Sequence, residues 1–150
     1  MKQRDDRLRS KILNNTSNHS HEFRLVQEII KKQKTVCGGR LKRYPYIFNY
    51  EYCMIPGQSN TGKGDLIFTD KRDNYMVMEV KYLDFYQSGK TAKNRRTKHR
   101  KKVKTQTKKY MKELSSFYPG AKSIKGIAYT NQSYKVYELN KETYEIKKIL

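Results

Sequence analysis

The chain has 150 residues, 35% of them hydrophobic, and its 34 Lys and Arg against 14 Asp and Glu give a formal charge of +20 at pH 7. This length suffices for one domain with a modest core, and the absence of a signal peptide or an apolar run of about twenty residues predicts a soluble intracellular protein, nuclear or cytoplasmic, without a membrane partner. The charge exceeds what solubility requires and predicts a polyanionic partner.

The first eighteen residues are polar and charged, with Leu8, Ile12 and Leu13 as their apolar anchors. They predict a flexible polar tail or a short helix, followed by a single domain over residues 19–150. Residues 21–30 (HEFRLVQEII) have the spacing of an amphipathic helix. Its apolar side consists of Phe23, Val26, Ile29 and Ile30, and its candidate N-caps are Ser17, Asn18 and Ser20.

Residues 46–54 (YIFNYEYCM) predict a strand, and residues 57–63 (GQSNTGK) match the phosphate-binding pattern GxxxxGK. A P-loop requires Ser or Thr at the next position and then a helix. Here Gly64 follows, and the next segments alternate like strands. We therefore predict a flexible loop leading into Asp65, in which Lys63 is a candidate phosphate contact.

Residues 64–81 predict a hairpin that places charged side chains on adjacent strands. With Asp70 opposite Asn74, the register sets Leu66 opposite Met78 and Asp65 opposite Glu79. A slip of one residue would bring charge onto the apolar face and is disfavoured. Opposed Cβ atoms lie roughly 5 Å apart, so both carboxylates can grip one divalent cation. Lys81 follows Glu79 on the same face.

A basic segment over residues 87–112 contains no Asp or Glu. It leads into a predicted helix of roughly five turns, whose inward face is expected to carry Val103, Gln106, Tyr110, Leu114 and Phe117. Such a segment positions a nucleic-acid backbone without reading bases. The candidate nucleic-acid contacts are Lys63, Arg95, Arg96, Lys98, Arg100, Lys101, Lys102, Lys104 and Lys108. A nuclear-import signal or a solvated arm is the alternative.

Three aromatic residues precede the basic segment. For Tyr82 packing in the core is favoured, whereas Phe85 and Tyr86 suit stacking on exposed bases as well as packing. After the helix, residues 123–131 and 134–140 predict two further strands. Cys37 and Cys53 are expected to be reduced structural thiols, and the three histidines form no recognisable metal set.

Gly64-Asp65 followed by Glu79-Val80-Lys81 resembles the signature of the PD-(D/E)xK nuclease superfamily, with Gly in place of Pro. Gln106 and Tyr110 are similar to the QxxxY element of exonuclease-like and VRR-NUC-like members. The resemblance spans about residues 20–140. It implies a restriction-endonuclease-like α/β fold, in the order helix, three strands, helix, strands, with a mixed central sheet between helices.

The resemblance also implies roles for individual residues. Asp65 and Glu79 would bind Mg²⁺ or Mn²⁺ with help from the Val80 carbonyl, and Lys81 would position or activate the attacking water. Gln106 would lean toward the site. Glu22 matches an acidic residue at the first helix that reaches the metal in many members, and favourable interaction with the helix dipole is the equal alternative.

The resemblance and the basic charge predict a Mg²⁺-dependent nuclease that cleaves DNA and, like the Holliday-junction resolvases, selects structure rather than sequence. A homodimer is a candidate assembly. Alternating tyrosines (Tyr44, Tyr46, Tyr50, Tyr52, Tyr134 and Tyr137) are candidates for a dimer surface or for half-buried sheet positions. Two alternatives stay open: a nucleic-acid-binding or packaging protein without turnover, and a nuclease directed at RNA.

Overall fold

The computed structural model describes residues 1–52 and 64–150. In these ranges the helices are α1 (Lys2–Leu13), α2 (His21–Lys31), the short α3 (Val36–Gly39) with a 3₁₀ turn at Arg40–Arg43, and α4 (Lys90–Phe117). The strands are β1 (Tyr46–Tyr52), β2 (Gly64–Thr69), β3 (Asn74–Lys81), β4 (Ser123–Thr130), β5 (Tyr134–Asn140) and β6 (Glu145–Lys148). No helix in the described part of the chain is long and apolar enough to cross a bilayer.

The six strands form one mixed sheet in the order β1-β2-β3-β4-β5-β6. Neighbouring strands are antiparallel except for β3 and β4, which are parallel and are connected through α4. A parallel pair needs such a crossover, whereas the antiparallel pairs are joined by shorter connections. The predicted α/β class with a mixed sheet is confirmed, and β6 is a strand that the sequence analysis did not identify.

The predicted hairpin register is confirmed. Leu66 pairs with Met78, Phe68 with Met76, and Thr69 with Tyr75. The turn between the strands closes through Asp70, whose carboxylate accepts hydrogen bonds from the Arg72 and Asn74 backbone N–H groups at 2.7 and 3.2 Å. The register agrees with the sequence pattern, because a slip of one residue would set Asp65 opposite Val80 and bring a charge onto an apolar face.

Side chains on the two faces of the sheet enter two separate cores. Leu66, Phe68, Met76 and Met78 pack against α1 and α2 on one side. On the other side, residues of the opposite parity, including Ile67 and Val77, pack against α4. Most side chains of β3 are therefore occupied in one core or the other. Charged residues enter the strand only at its end, with Glu79 and Lys81.

Helix α1 corrects the expectation of a flexible tail. Ile12 is fully buried, and Asp5, 7% exposed, accepts a hydrogen bond from the Ile47 backbone N–H at 2.7 Å and pairs with Arg9 at 2.9 Å. Of the two expected forms, the short helix is present, and a polar side chain holds it against β1. No local pattern predicts this contact, because the partner of Asp5 lies 42 residues away along the chain.

Helix α4 has 28 residues, about eight turns, and includes most of the basic segment that was predicted to precede a shorter helix. Val103, Thr107, Tyr110, Met111 and Leu114 are buried along it. Phe117 is 48% exposed, so its predicted place on the inward face is wrong. The helix ends at this residue, beyond the apolar stretch that covers the sheet.

The alternating tyrosines are mainly sheet and core residues. Tyr44 and Tyr137 are buried, and Tyr46, Tyr50 and Tyr134 are half-buried. The Tyr52 side chain, like Cys53, lies outside what the structure describes. The half-buried alternative is confirmed for Tyr46, Tyr50 and Tyr134, whereas Tyr44 and Tyr137 are fully in the core. A homodimer stays a prediction.

Candidate active site

Asp65 and Glu79 meet where β2 begins and β3 approaches its end. The regular pairing of these strands runs from Leu66–Met78 to the turn. Beyond it, the Asp65 backbone N–H donates to Glu79 Oε1 at 3.2 Å, and the Val80 backbone N–H donates to Asp65 Oδ2 at 2.7 Å. The two carboxylates thus lie against each other, as the register predicted.

Burial raises the pKa of Asp65 above its ordinary value of 3.8, and the negative charges of Glu22 and Glu51 act in the same direction. Hydrogen bonds from the Glu79 side chain and from the Val80 N–H oppose this shift. Glu79 is 2% exposed. Two carboxyl groups this close and this poorly hydrated hold a proton more readily than exposed ones, or else require a cation.

Lys81 and Glu22 form an ion pair beside the two carboxylates. Lys81 Nζ lies 3.0 Å from Glu22 Oε1, and the two side chains are 23% and 44% exposed. Glu22 is in the first turn of α2, whose N-cap Ser20 accepts a hydrogen bond from the Phe23 backbone N–H. Glu22 thus lies beside the two carboxylates through its contact with Lys81, and its negative charge raises the pKa of Asp65. Its contact with a metal ion stays a prediction.

His99 on α4 belongs to the same group of side chains. Its pKa is lowered by burial and by the positive charge of Lys81, while the charge of Glu22 opposes this shift. On the α2 side, the His21 ring stacks on Tyr82, with ring centroids 4.3 Å apart. Both histidines therefore flank the end of β3. The lowered pKa means that His99 keeps its neutral form to a lower pH than an ordinary histidine does.

Gln106 does not take the inward position predicted for it. It is half-buried, while the neighbouring Thr107 is fully buried and donates its hydroxyl to the Val103 carbonyl at 2.7 Å. The buried arc of α4 is centred near Val103, Thr107 and Leu114, so a rotation of 100° per residue leaves Gln106 at the margin of that arc. Its support of the site stays a prediction.

The predicted nucleic-acid contacts divide into residues occupied within the fold and residues turned to solvent. Arg96 Nη1 donates to the carbonyls of Asp84 and Gln87 at 2.9 and 3.0 Å, and Arg100 binds Gln132 Oε1. Lys108 lies over the Tyr137 ring. The exposed members are Arg95, Lys98, Lys101, Lys102 and Lys108, and Lys104 is half-buried. Of these, Arg95 also donates to Gln87 Oε1 at 3.3 Å.

The P-loop pattern at residues 57–63, with Lys63, lies outside the described residues. The chain enters strand β2 at Gly64, whereas a P-loop would continue into a helix. Cys37 is buried, and burial raises its pKa to about 12, which agrees with an unreactive thiol.

The residues fit a weakly held hard cation better than a metal enclosed by protein. Within residues 1–52 and 64–150, no three His, Cys, Asp or Glu side chains are grouped to hold a metal ion. Mg²⁺ commonly binds through one or two carboxylates and keeps several waters until substrate phosphates arrive. Asp65 and Glu79 supply that donor set. The backbone N–H of Val80 is used by Asp65, and its carbonyl role stays a prediction.

Comparisons with protein-family models, with curated proteins and with solved structures found no match to this chain. The residues and their geometry are therefore what an argument about function rests on.

Of the side chains that lie together at the end of β3, the sequence pattern predicted Asp65, Glu79, Lys81 and Glu22 as candidates. It did not predict His99 or the His21–Tyr82 pair. His99 lies among basic residues, where nothing in the local pattern separates it from a solvated helix face. A signal existed in the spacing: Arg95, His99 and Lys102 recur at intervals of four and three residues and so share one side of a helix.

Proposed function

We propose that this protein is a metal-dependent nuclease with a restriction-endonuclease-like core, which hydrolyses phosphodiester bonds of DNA and selects structure rather than sequence. The observation that carries the proposal is the contact between the half-buried Asp65 and the buried Glu79, which lies two residues before Lys81 on β3. The order of helices and strands supports it, since β1 to β3 precede α4 and the remaining strands follow.

Asp65 and Glu79 would hold Mg²⁺ or Mn²⁺, which supplies Lewis-acid activation of the scissile phosphate. Lys81 orients the attacking water and stabilises negative charge that develops on the phosphate oxygens. Glu22 keeps the Lys81 ammonium group at the edge of the site, through the contact at 3.0 Å. His99 lies where it can exchange hydrogen bonds with a phosphate without adding a fixed charge.

A nucleic-acid substrate is favoured by the charge of +20 and by the exposed basic residues of α4. DNA is proposed over RNA because the superfamily that the chain resembles is mostly DNA-directed. Lys98, Lys101 and Lys102 are exposed on α4, the helix that also carries His99 beside Lys81. Contacts of this kind fix a phosphate backbone in register and carry no base sequence. A preference for DNA structure follows from them more readily than a preference for a base sequence.

A second candidate function is nucleic-acid binding without turnover. It is favoured by the ion pair that occupies Lys81 and by the lack of a third metal-ligating side chain among the described residues. In that case Asp65, Glu79 and Lys81 would be a charged cluster that shapes the end of β3, and the exposed lysines of α4 would be the functional residues.

The test is cleavage of a labelled panel of single-stranded, double-stranded, flapped and four-way DNA and matched RNA, with Mg²⁺, Mn²⁺ or chelator. Wild type is compared with Lys81→Met and with the control Lys135→Met, which alters a half-buried lysine of β5. We expect metal-dependent DNA cleavage that is lost in Lys81→Met and kept in the control. Tight binding without cleavage under any metal would favour the second candidate, and preferential cleavage of RNA would replace DNA as substrate.

A further inference from the structure

The segment after β3 carries an unusual pair of exposed aromatic rings. Tyr86 is 94% exposed and Phe85 is 48% exposed, and they follow Lys81 by five and four residues. A tyrosine ring almost wholly in water gains nothing from packing in the folded protein. Single exposed rings need no explanation, but two adjacent ones beside a candidate active site do.

This segment is held firmly although it has no regular secondary structure. Leu83 is fully buried and exchanges two hydrogen bonds with the Asn131 side chain, at 2.7 and 2.9 Å. Arg96 donates to two carbonyls of the segment and lies over the Phe85 ring, 5.1 Å from its centroid. The Tyr86 backbone N–H donates to Asp84 Oδ1 at 2.9 Å. Tyr86 is thus presented to solvent by a backbone that is already ordered.

The same segment borders a cavity of about 190 Å³ between α2, the end of β3 and α4. Its lining includes the stacked His21 and Tyr82 rings, together with Gln87, Arg95 and His99. The volume is below the roughly 300–1,000 Å³ of pockets for drug-sized ligands. A planar group with hydrogen-bonding edges, of the size of one nucleobase, suits both this volume and this lining.

We infer that residues 83–87 form a stacking platform for an unpaired base of the strand that is cut, with Tyr86 as the stacking ring. The inference rests on the proposed nuclease function and gives it a substrate class, DNA that is single-stranded, flapped or frayed near the scissile phosphate. Bases in a duplex already stack on each other, so an exposed ring adds affinity only where a base is free. The basic side of α4 beside the platform matches the phosphates of the same strand.

The experiment measures binding of single-stranded and duplex oligonucleotides of equal length in chelator, where no cleavage occurs. The single strand carries one 2-aminopurine, whose fluorescence falls when it stacks. Wild type is compared with Tyr86→Ala, with Tyr86→Phe, which keeps the ring, and with Phe117→Ala, which removes a half-exposed ring at the far end of α4.

We expect Tyr86→Ala to weaken single-strand binding about five- to hundredfold and to abolish the quenching, while duplex binding stays unchanged. Tyr86→Phe and Phe117→Ala should match wild type. Equal weakening for both DNAs, or no weakening, would overturn the platform. So would Tyr86-dependent binding to phosphatidylserine vesicles with no effect on DNA, because the rings would then serve a membrane surface.

The two proposals fail separately. Because the stacking signal is read in chelator, quenching that depends on Tyr86 in a protein that cuts nothing would refute the nuclease and keep the platform as a binding site. Metal-dependent cleavage with equal rates on duplex and single strand, and with no effect of Tyr86→Ala, would keep the nuclease and refute the platform.

Discussion

The contact between Asp65 and Glu79 is expected to lower the stability of the folded protein when both side chains are ionised. Glu79 is buried and Asp65 is half-buried, and the two carboxyl groups face each other. Burying a charge without a compensating partner costs several kcal/mol, so such pairs concentrate at functional sites, where a proton or a cation relieves the repulsion. Their hydrogen bonds from the Asp65 and Val80 N–H groups fix their geometry before a cation arrives.

Replacement of Asp65 by Asn is expected to raise the free energy of unfolding of the metal-free protein at pH 7. The raised pKa of Asp65 means that the folded protein holds this proton more tightly than the unfolded chain, whose carboxyl keeps its ordinary value of 3.8. Stability of the wild type therefore rises as pH falls through the raised pKa, and the ionised form costs stability above it. Asn removes this cost and can still accept from the Val80 N–H.

The measurement is urea unfolding from pH 4 to pH 8, with and without Mg²⁺, with Glu138→Gln as a control at an exposed position of β5. Addition of Mg²⁺ at a hundred times its dissociation constant should stabilise the wild type and the control by about 2.7 kcal/mol and leave Asp65→Asn almost unchanged. Equal stabilisation of all three proteins would mean that Mg²⁺ binds at a site that does not include Asp65.

For single residues, the sequence correctly predicted which positions face each other across the β2–β3 hairpin. It did not predict which residues of α4 face the sheet. Asp65 and Glu79 are brought together by the hairpin register, which local patterning determines. Gln106 was assigned to the inward face from a spacing of three residues, but Thr107 takes that place. Successive side chains of a helix point in directions 100° apart around its axis. Near the margin of an apolar stripe, only the packing of the helix against the sheet determines which of two neighbouring residues faces inward.

The approach of α4 to the sheet depends on Gly126 of β4. A Cβ atom added at Gly126 would lie 2.7 Å from Thr107 Cγ2 and would also collide with the Met111 side chain. A residue without a side chain therefore lets the helix pack directly on the strand. Since α4 carries both His99 and the exposed lysines, this contact also sets the distance between the basic surface and the carboxylates.

Gly126→Ala is expected to lower the free energy of unfolding by about 1–3 kcal/mol, because the added methyl overpacks the interface of α4 with β4. Chemical denaturation of this variant is compared with Gly120→Ala, where a Cβ meets nothing within 4 Å. The control should lie within about 0.5 kcal/mol of wild type. Unchanged stability of Gly126→Ala would mean that Met111 moves aside freely and that the close approach is not needed.

Helix α1 gives a second prediction for an element. Asp5→Ala removes the acceptor of the Ile47 N–H at 2.7 Å and the partner of Arg9, and is expected to cost about 1–3 kcal/mol. Asp6→Ala, at an exposed position of the same helix, should be nearly neutral. Limited proteolysis provides the readout: the Asp5 variant should be cut within residues 1–18 before the wild type is. Equal resistance of both variants would show that Asp5 does not hold the helix.

The elements differ in how far the sequence could predict them. The strands β2 to β5 and the helix α2 have strong periodic patterns and local turn or capping residues, so they were identified nearly to their ends. Helix α1 has few apolar residues and depends on Gln27, which donates to the Ile12 and Asn15 carbonyls, and on Asp5. Contacts between distant segments of this kind leave no periodic trace in the sequence.

In the whole molecule, the formal charge of +20 and the exposed lysines of α4 predict a binding energy dominated by phosphate contacts. If six to ten phosphates are contacted, affinity for DNA should fall by about three to five decades between 50 and 200 mM salt. Lys98→Gln together with Lys101→Gln should lower the slope of log K against log salt by about two.

The control for this measurement replaces Lys147 and Lys148, two exposed lysines of the edge strand β6, and should leave the slope unchanged. A reduction of the slope by both pairs alike would mean that DNA is attracted by the overall charge and has no defined path along α4. In that case the basic surface of α4 and the two carboxylates would not belong to one binding site.

The central claim is that Asp65 and Glu79 hold the ion for phosphodiester cleavage, and it is tested most directly by the single-turnover rate of Mg²⁺-dependent cleavage of flapped DNA. Wild type is compared with Asp65→Asn, and the affinity of both for the same DNA is measured in chelator. The account predicts a rate lower by at least about a hundredfold in the variant, with DNA affinity equal or tighter. Cleavage at the wild-type rate by Asp65→Asn, or no cleavage by either protein, would contradict it.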